Sequence, residues 1–215
     1  MKVPQSKEKF KGKFYTEEQA NKLLVVAIGN VLESVVILTL YYGLRRSEIL
    51  GLKWEYIDFN QNTITIKNTI TRARTLVEKE YTKDGEFRTL PLLDNVRAYL
   101  LKLKSRQTEN QLLMGEGYTK NDYVCKWDDG RQFAPAYVSK AFKNLLLKNG
   151  MTAIRFHDLR HTCASLLIAM GFSLKEVGEW LGHKDISTTN IYAHLLYESK
   201  ISMGDKLNST IKLVI

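Results

Sequence analysis

Cysteine is almost missing from this chain. Only Cys125 and Cys163 occur, too few for a disulfide framework, and Cys163 falls on an apolar helical stripe, so a reducing cytosol is the fitting compartment. No apolar run is long enough to cross a bilayer. The longest, VVILTLYYGL, suits a helix buried inside the protein and excludes a helical membrane anchor in this stretch. The amino terminus, MKVPQSKEKFKGKF, is basic and polar without the apolar centre of a signal peptide. Internal repeats and low-complexity tracts are missing too. His157 and His161 stand four residues apart, but HDLRH lacks the glutamate of HExxH and sets Arg160 beside the pair, where it repels a cation. Neither a metal nor any other cofactor is therefore expected.

What the chain has in excess is positive charge. Its 215 residues carry a formal net charge of +9, which favours a polyanionic partner because a basic surface gains affinity by releasing counterions from phosphates. Apolar residues make up 44% and charged residues 26%, the proportions of an ordinary globular protein of one domain. Three segments are expected: a mobile basic lead-in at 1–13, a domain at 14–197, and a tail at 198–215.

The domain reads as mainly α with a small three-stranded antiparallel β-sheet. Thr16 and Gln19 form a capping box ahead of a stripe of Ala20, Leu23, Leu24 and Ala27. Gly29 and Asn30 break that helix. Residues 31–42 are apolar nearly all round and predict a central helix, with Gly43 turning the chain to present Arg45 at the edge of the core. Ser47 and Glu48 open a further short helix. Between Trp54 and Leu92 the pattern changes to strands, with alternation over 63–66 and a hairpin signal at Asp84-Gly85 that places Lys83 at the tip. Asp94 is expected to cap a helix that buries Val96, Tyr99, Leu100 and Leu103, and 107–122 reads as a surface connection. A short strand and turn are expected over 123–133. Pro135 then opens a helix buried through Val138, Ala141, Phe142 and Leu145.

Reactive side chains concentrate between Phe156 and Tyr192. In FHDLRHTCASLLIAMG, Leu159, Cys163, Leu166, Leu167 and Met170 mark one buried face, and His157 and Arg160 rise as neighbours three residues apart. Ser173 and Glu176 cap the next helix, whose inward stripe is Leu174, Val177 and Leu181. Gly182 stops it and leaves His183 on the turn. Tyr192 follows nine residues later in a second short helical stretch opened by Ser187 or Thr188.

HDLRH, then LGH, then that tyrosine resemble the carboxy-terminal half of the tyrosine recombinases, the phage-integrase family. YYGLRRSEILGLKWEYIDF resembles the family's first motif, with Arg45 as its arginine, and YTKDGEFRTLPL resembles the hairpin carrying its lysine, here Lys83, with Lys79 the alternative. The likeness runs from about residue 14 to 197. It implies a site-specific DNA recombinase that acts on double-stranded attachment sites of a phage or mobile element, as a DNA-bound tetramer in the bacterial cytosol. In such enzymes Tyr192 would attack phosphorus and form a covalent 3′-phosphotyrosyl link without ATP or metal. Arg45 and Arg160 would grip the phosphate oxygens, Lys83 would protonate the leaving 5′-oxygen, and His157 and His183 would bond the phosphate or accept the tyrosine proton. His161 and His194 read as structural, or as supports of the site residues. Two rivals share parts of this pattern: a type IB topoisomerase that only relaxes supercoils, and a non-catalytic DNA-binding relative. The helical DNA-binding domain that usually precedes this segment has no counterpart in the sequence, so a piece of a longer chain or a short family member is expected. The resemblance further implies that 209–215 forms a strand added to a neighbouring protomer or folded back in cis.

Overall fold

The computed structural model describes residues 13–67, 69–72, 76–79, 87–183, 189, 192 and 210. Helix α1 (Glu17–Ala27) begins where expected, with the Gln19 amide donating to Thr16 Oγ1 at 3.3 Å and the Thr16 amide to Gln19 Oε1 at 3.0 Å. Its Leu23 and Ala27 are fully buried. Helix α2 (Glu33–Tyr42) starts two residues later than the apolar pattern suggests, because Asn30 Oδ1 takes the Leu32 amide at 2.9 Å and holds a turn there. Apolar on every side, α2 is the centre of the domain, packed against α1, the short α3 (Arg46–Gly51) and α6 (Asp158–Ala169).

Gly43 ends α2 with φ of 60°, a left-handed conformation that L side chains rarely adopt. A Cβ at this position would overlap the Leu181 side chain and press on the Cys163 sulfur. This close approach lets the end of α2 abut α6 and α7 (Leu174–Leu181).

The expected three-stranded antiparallel sheet is present, in the order β1-β2-β5: β1 (Ile57–Asp58), β2 (Thr63–Ile66) and β5 (Arg88–Pro91). Ile64 faces Leu90 and Ile66 faces Arg88 across the β2–β5 ladder. A separate antiparallel pair, β3 (Thr69–Arg72) and β4 (Leu76–Lys79), is inserted between β2 and β5, and β3 runs beside α3. The Asp84-Gly85 turn and Lys83 lie outside the described residues; Lys79 sits on β4.

Several expectations are corrected. Helix α4 (Asp94–Met114) continues through 107–114, where a surface connection is predicted. Its apolar stripe stops at Leu103, and Leu112 and Leu113 are exposed, so periodicity carries no signal there. Good helix-forming residue types extend it, and Gln107 ties it down by accepting from Trp54 Nε1 at 3.0 Å and donating to the Val124 carbonyl at 2.9 Å. Asp94 is the first helical residue, not the cap, which is Leu93 without a side-chain bond. Residues 123–133 form two isolated bridges, Lys53 with Tyr123 and Lys126 with Gln132, in place of a strand. Helix α5 (Pro135–Lys148) opens on its proline as predicted. Met170 lies past the end of α6 and is 69% exposed, outside the buried stripe.

Beyond His183, Tyr192 closes a short turn, its amide donating to the Thr189 carbonyl at 3.0 Å. Ser187, Thr188 and His194 lie outside the described residues, as does the tail except Thr210. That residue is helical and exposed, and the rest of 209–215, where the sequence predicts an extended strand, lies outside the described residues. The main core fills the space among α1 to α6 and the sheet, and a smaller cluster joins Cys163, Ala164, Ile168, Val177, Leu181 and Tyr192. Trp180 packs against both clusters and stacks on Tyr42 with ring centroids 5.9 Å apart. Both cysteines are buried and free. No described helix is long and apolar enough to cross a membrane.

Gly43→Ala is expected to cost about 1–3 kcal/mol through strain and overpacking against Leu181, and to lower Tm by several degrees. Thermal unfolding checks this; an unchanged Tm would mean that the α2–α7 approach is not tight.

Candidate active site

Glu48 is a carboxylate on the short helix α3, and it is fully buried. Burial alone would raise its pKa. Arg88, with Arg160 and Arg45 behind it, outweighs that penalty and holds Glu48 down at about 2. Arg88 Nη2 lies 3.0 Å from Glu48 Oε2, Arg45 Nη1 lies 2.6 Å from Oε1, and Arg160 Nη1 approaches to 4.0 Å. The Arg45 amide also donates to Glu48 Oε2 at 3.0 Å, which fixes the first turn of α3. Three permanent cations therefore share one anion.

Arg160 is the most enclosed of the three, with its side chain 4% exposed. It donates to the Gly43 carbonyl at 2.7 Å and the Leu181 carbonyl at 2.9 Å, so the carboxy-terminal ends of α2 and α7 both point their partial negative charge at it. Burial, then Arg45 alongside, pulls Arg160 down to about 10. A cation destabilised in this way gains from any added anion. Arg45 keeps more exposure, 23%, and reaches the Gly182 carbonyl at 3.4 Å. Arg88 Nε donates to the Trp180 carbonyl at 3.2 Å. Gly182, with φ of 71°, admits this guanidinium, since a Cβ would stand 2.7 Å from Arg88 Nη1.

The first turn of α6 carries His157 as its cap residue. Asp158 anchors that turn, accepting the Arg155 amide at 2.8 Å and pairing with its guanidinium at 2.7 Å. Burial, with His161 beside it, draws His157 down to about 4, so its ring is neutral at physiological pH. Its ring meets that of His161 edge to face, centroids 5.2 Å apart. His183 is held by its amide to the Gly178 carbonyl at 2.8 Å and by Nδ1 against Thr189 Oγ1 at 2.9 Å. Tyr192 is 4% exposed in the small core cluster. Its hydroxyl lies 2.5 Å from His161 Nδ1. Burial raises the Tyr192 pKa, and Arg160 opposes that rise only in part. Beside the first turn of α6 opens a groove of about 870 Å³, lined by Lys13, Arg46, Lys143, Arg155 and His157.

Five of the six residues singled out in the sequence thus lie in the described part of the chain: Arg45 and Arg160 meet on Glu48, His157 and Tyr192 both contact His161, and His183 sits on the turn after α7 against Thr189. Lys83 is outside it. Sequence reasoning passed over Glu48 and Arg88 as members of the cluster, and took His161 as structural or as a support of the site residues. Signals existed: Glu48 is a lone acid directly before the apolar Ile49 and Leu50 and three residues after Arg45, and Arg88 shares strand parity with the inward Leu90 and Leu92. Among the described residues no group of three or more His, Cys, Asp or Glu side chains is placed to hold a metal ion.

Residues 13–199 match the family model described as the phage integrase family. The chain is 30% identical over 220 residues to a tyrosine recombinase XerC-like protein of Caldanaerobacter subterraneus subsp. tengcongensis, covering 96% of this chain and 56% of that protein. It is 26% identical over 212 residues to the ICEBs1 integrase of Bacillus subtilis, covering 96% and 56%. A solved structure of the Tn1549 transposon integrase in complex with transposon right end DNA is similar in fold, with a TM-score of 0.74 at 19% identity over 94% of this chain and 67% of that one. The chain spans about half the length of the curated relatives it matches.

Glu48→Gln should leave three guanidinium groups around a neutral amide and cost roughly 3–5 kcal/mol, the usual penalty for breaking a buried ion pair. The folded pKa of Glu48 is depressed, so its contribution is fully present above the unfolded value of about 4.5 and is lost as pH falls toward about 2. Acid titration of stability in the two proteins checks this. A Glu48→Gln variant as stable as the wild type above about pH 5 would show that the cluster does not need the charge.

Proposed function

The chain belongs to the phage integrase family, and on that premise we propose that it is the strand-cleaving and strand-joining part of a site-specific DNA recombinase serving a phage or mobile element. The observation that carries this reading is the surplus of positive charge around Glu48: three guanidinium groups share one buried carboxylate, and Arg45 and Arg88 keep part of their side chains exposed. A phosphodiester is the anion that suits it, since planar guanidinium forks match two non-bridging oxygens and stabilise the charge they gain in the transition state.

In this reading Tyr192 attacks phosphorus and forms the 3′-phosphotyrosyl link, storing the bond energy for rejoining. Arg45, the more open of the pair, and Arg160, the more rigidly held, receive the phosphate. Lys83 protonates the departing 5′-oxygen. His183, fixed against Thr189, and His157, at the groove edge, bond phosphate oxygens. The cations lining the groove, Lys13, Arg46, Lys143 and Arg155, would follow the duplex backbone into the site. Joining strands of two duplexes requires four such chains, so the DNA-bound form is proposed to be a tetramer.

A nicked suicide duplex carrying the parent element's attachment core tests this. The protein should give a slow-migrating covalent band on a denaturing gel, and Tyr192→Phe should abolish it, a loss of at least about a thousandfold in cleavage. Light scattering on the intact attachment duplexes should find four chains per assembly. A band that survives in the phenylalanine variant would remove Tyr192 from its role, and assemblies that never exceed two chains would remove the tetramer.

A further inference from the structure

The side chain that meets the Tyr192 hydroxyl is His161, a residue that the sequence marks as structural or as a support of the site residues, not as one that takes part in the reaction. Its Nδ1 stands 2.5 Å from the phenolic oxygen, and the two ring centroids are 5.7 Å apart. His183 directs its Nδ1 to Thr189, and His157 meets His161 edge-on. The three histidines near the site are therefore not equivalent.

From this geometry we propose that His161 is a further catalytic residue, the base that accepts the Tyr192 proton as the hydroxyl attacks phosphorus. The proposal rests on the reading of Tyr192 as nucleophile. A phenol with an ordinary pKa of about 10 keeps its proton at neutral pH, and burial pushes Tyr192 higher still. Something must take that proton. Burial lowers the His161 pKa, so its ring is neutral and one nitrogen carries a lone pair. In the tautomer that carries its proton on Nε2, His161 Nδ1 accepts the hydrogen bond that the Tyr192 hydroxyl donates.

The groups that face His161 set how well it can bear the proton. Asp158 favours the imidazolium, whereas Arg155 and Arg160 oppose it. His157, drawn down to about 4, adds no charge. Cys163, close to Tyr192, has its thiol pushed up to about 12 by burial and stays neutral. During cleavage the new bond joins Tyr192 Oη to phosphorus, and the O–H proton passes to His161 Nδ1. The bond from phosphorus to the 5′-oxygen breaks with its electron pair on that oxygen, which takes a proton from a cationic donor, Lys83 in the reading above. In rejoining, an incoming 5′-hydroxyl returns its proton to that donor and displaces the tyrosyl oxygen, which recovers its own proton from the His161 imidazolium. Atoms and charge balance over the cycle.

Single-turnover cleavage of the nicked suicide duplex tests this across pH, with wild type, Tyr192→Phe, His161→Gln and His161→Ala compared at equal DNA occupancy. Loss of a general base should slow adduct formation about a hundredfold near pH 7 in both His161 variants. The deficit should narrow toward about pH 9.5, where hydroxide can remove the phenolic proton, and added imidazole should restore part of the rate in His161→Ala. A purely structural His161 would show neither the pH-dependent narrowing nor the rescue. Cleavage by His161→Gln within about twofold of wild type at every pH overturns the proposal and leaves the nucleophile assignment intact. Faster cleavage by the variants also overturns it, since the bond would then be a latch on Tyr192. Absence of any adduct in wild type, or its persistence in Tyr192→Phe, defeats the nucleophile reading itself and the proposal with it.

Discussion

Glu48 is the group on which the site depends. A carboxylate with no exposure would be a heavy liability alone. Here it neutralises part of the mutual repulsion of Arg45, Arg88 and Arg160 and holds their guanidinium groups in one place. Arg45 caps the same short helix, Arg88 is on a strand, and Arg160 is on the helix that also bears His157 and His161. One buried anion thus draws three separate parts of the chain together and leaves a net positive site.

Backbone dipoles do the rest of the positioning. The left-handed ends at Gly43 and Gly182 stop α2 and α7 so that carbonyls at both helix ends face arginines. Arg160 is satisfied by those carbonyls in the absence of substrate, which limits its freedom to swing away. Trp180 adds to the junction, stacking on Tyr42 and donating to the Tyr41 carbonyl at 3.3 Å. Tyr192 then packs among Cys163, Val177 and Leu181 of the same helices. The core that stabilises α6 and α7 is the core that places the tyrosine.

The helices with caps and clear stripes were legible in the sequence. Thr16 with Gln19 and Ser173 with Glu176 mark starts by local chemistry, and Gly43 and Gly182 mark stops. The second half of α4 was not legible, because its stability comes from residue type and from Gln107 reaching Trp54 and Val124, which leave no apolar rhythm. The inserted β3–β4 pair was missed since consecutive strands are the simplest reading of alternating segments, whereas β5 pairs with β2. At the site, the reactive residues were found by spacing. Their partners were not, because a buried ion pair between α3 and β5 joins positions 40 residues apart and is visible only once the chain is folded.

The measurement that bears most directly on the account is a crystal structure of the Tyr192→Phe chain bound to an attachment-core duplex. The account predicts one backbone phosphate with its non-bridging oxygens on the Arg45 and Arg160 guanidinium groups, while Glu48 still pairs with Arg88. A duplex that lies along the Lys143 and Arg155 groove with no phosphate at those two arginines would contradict it.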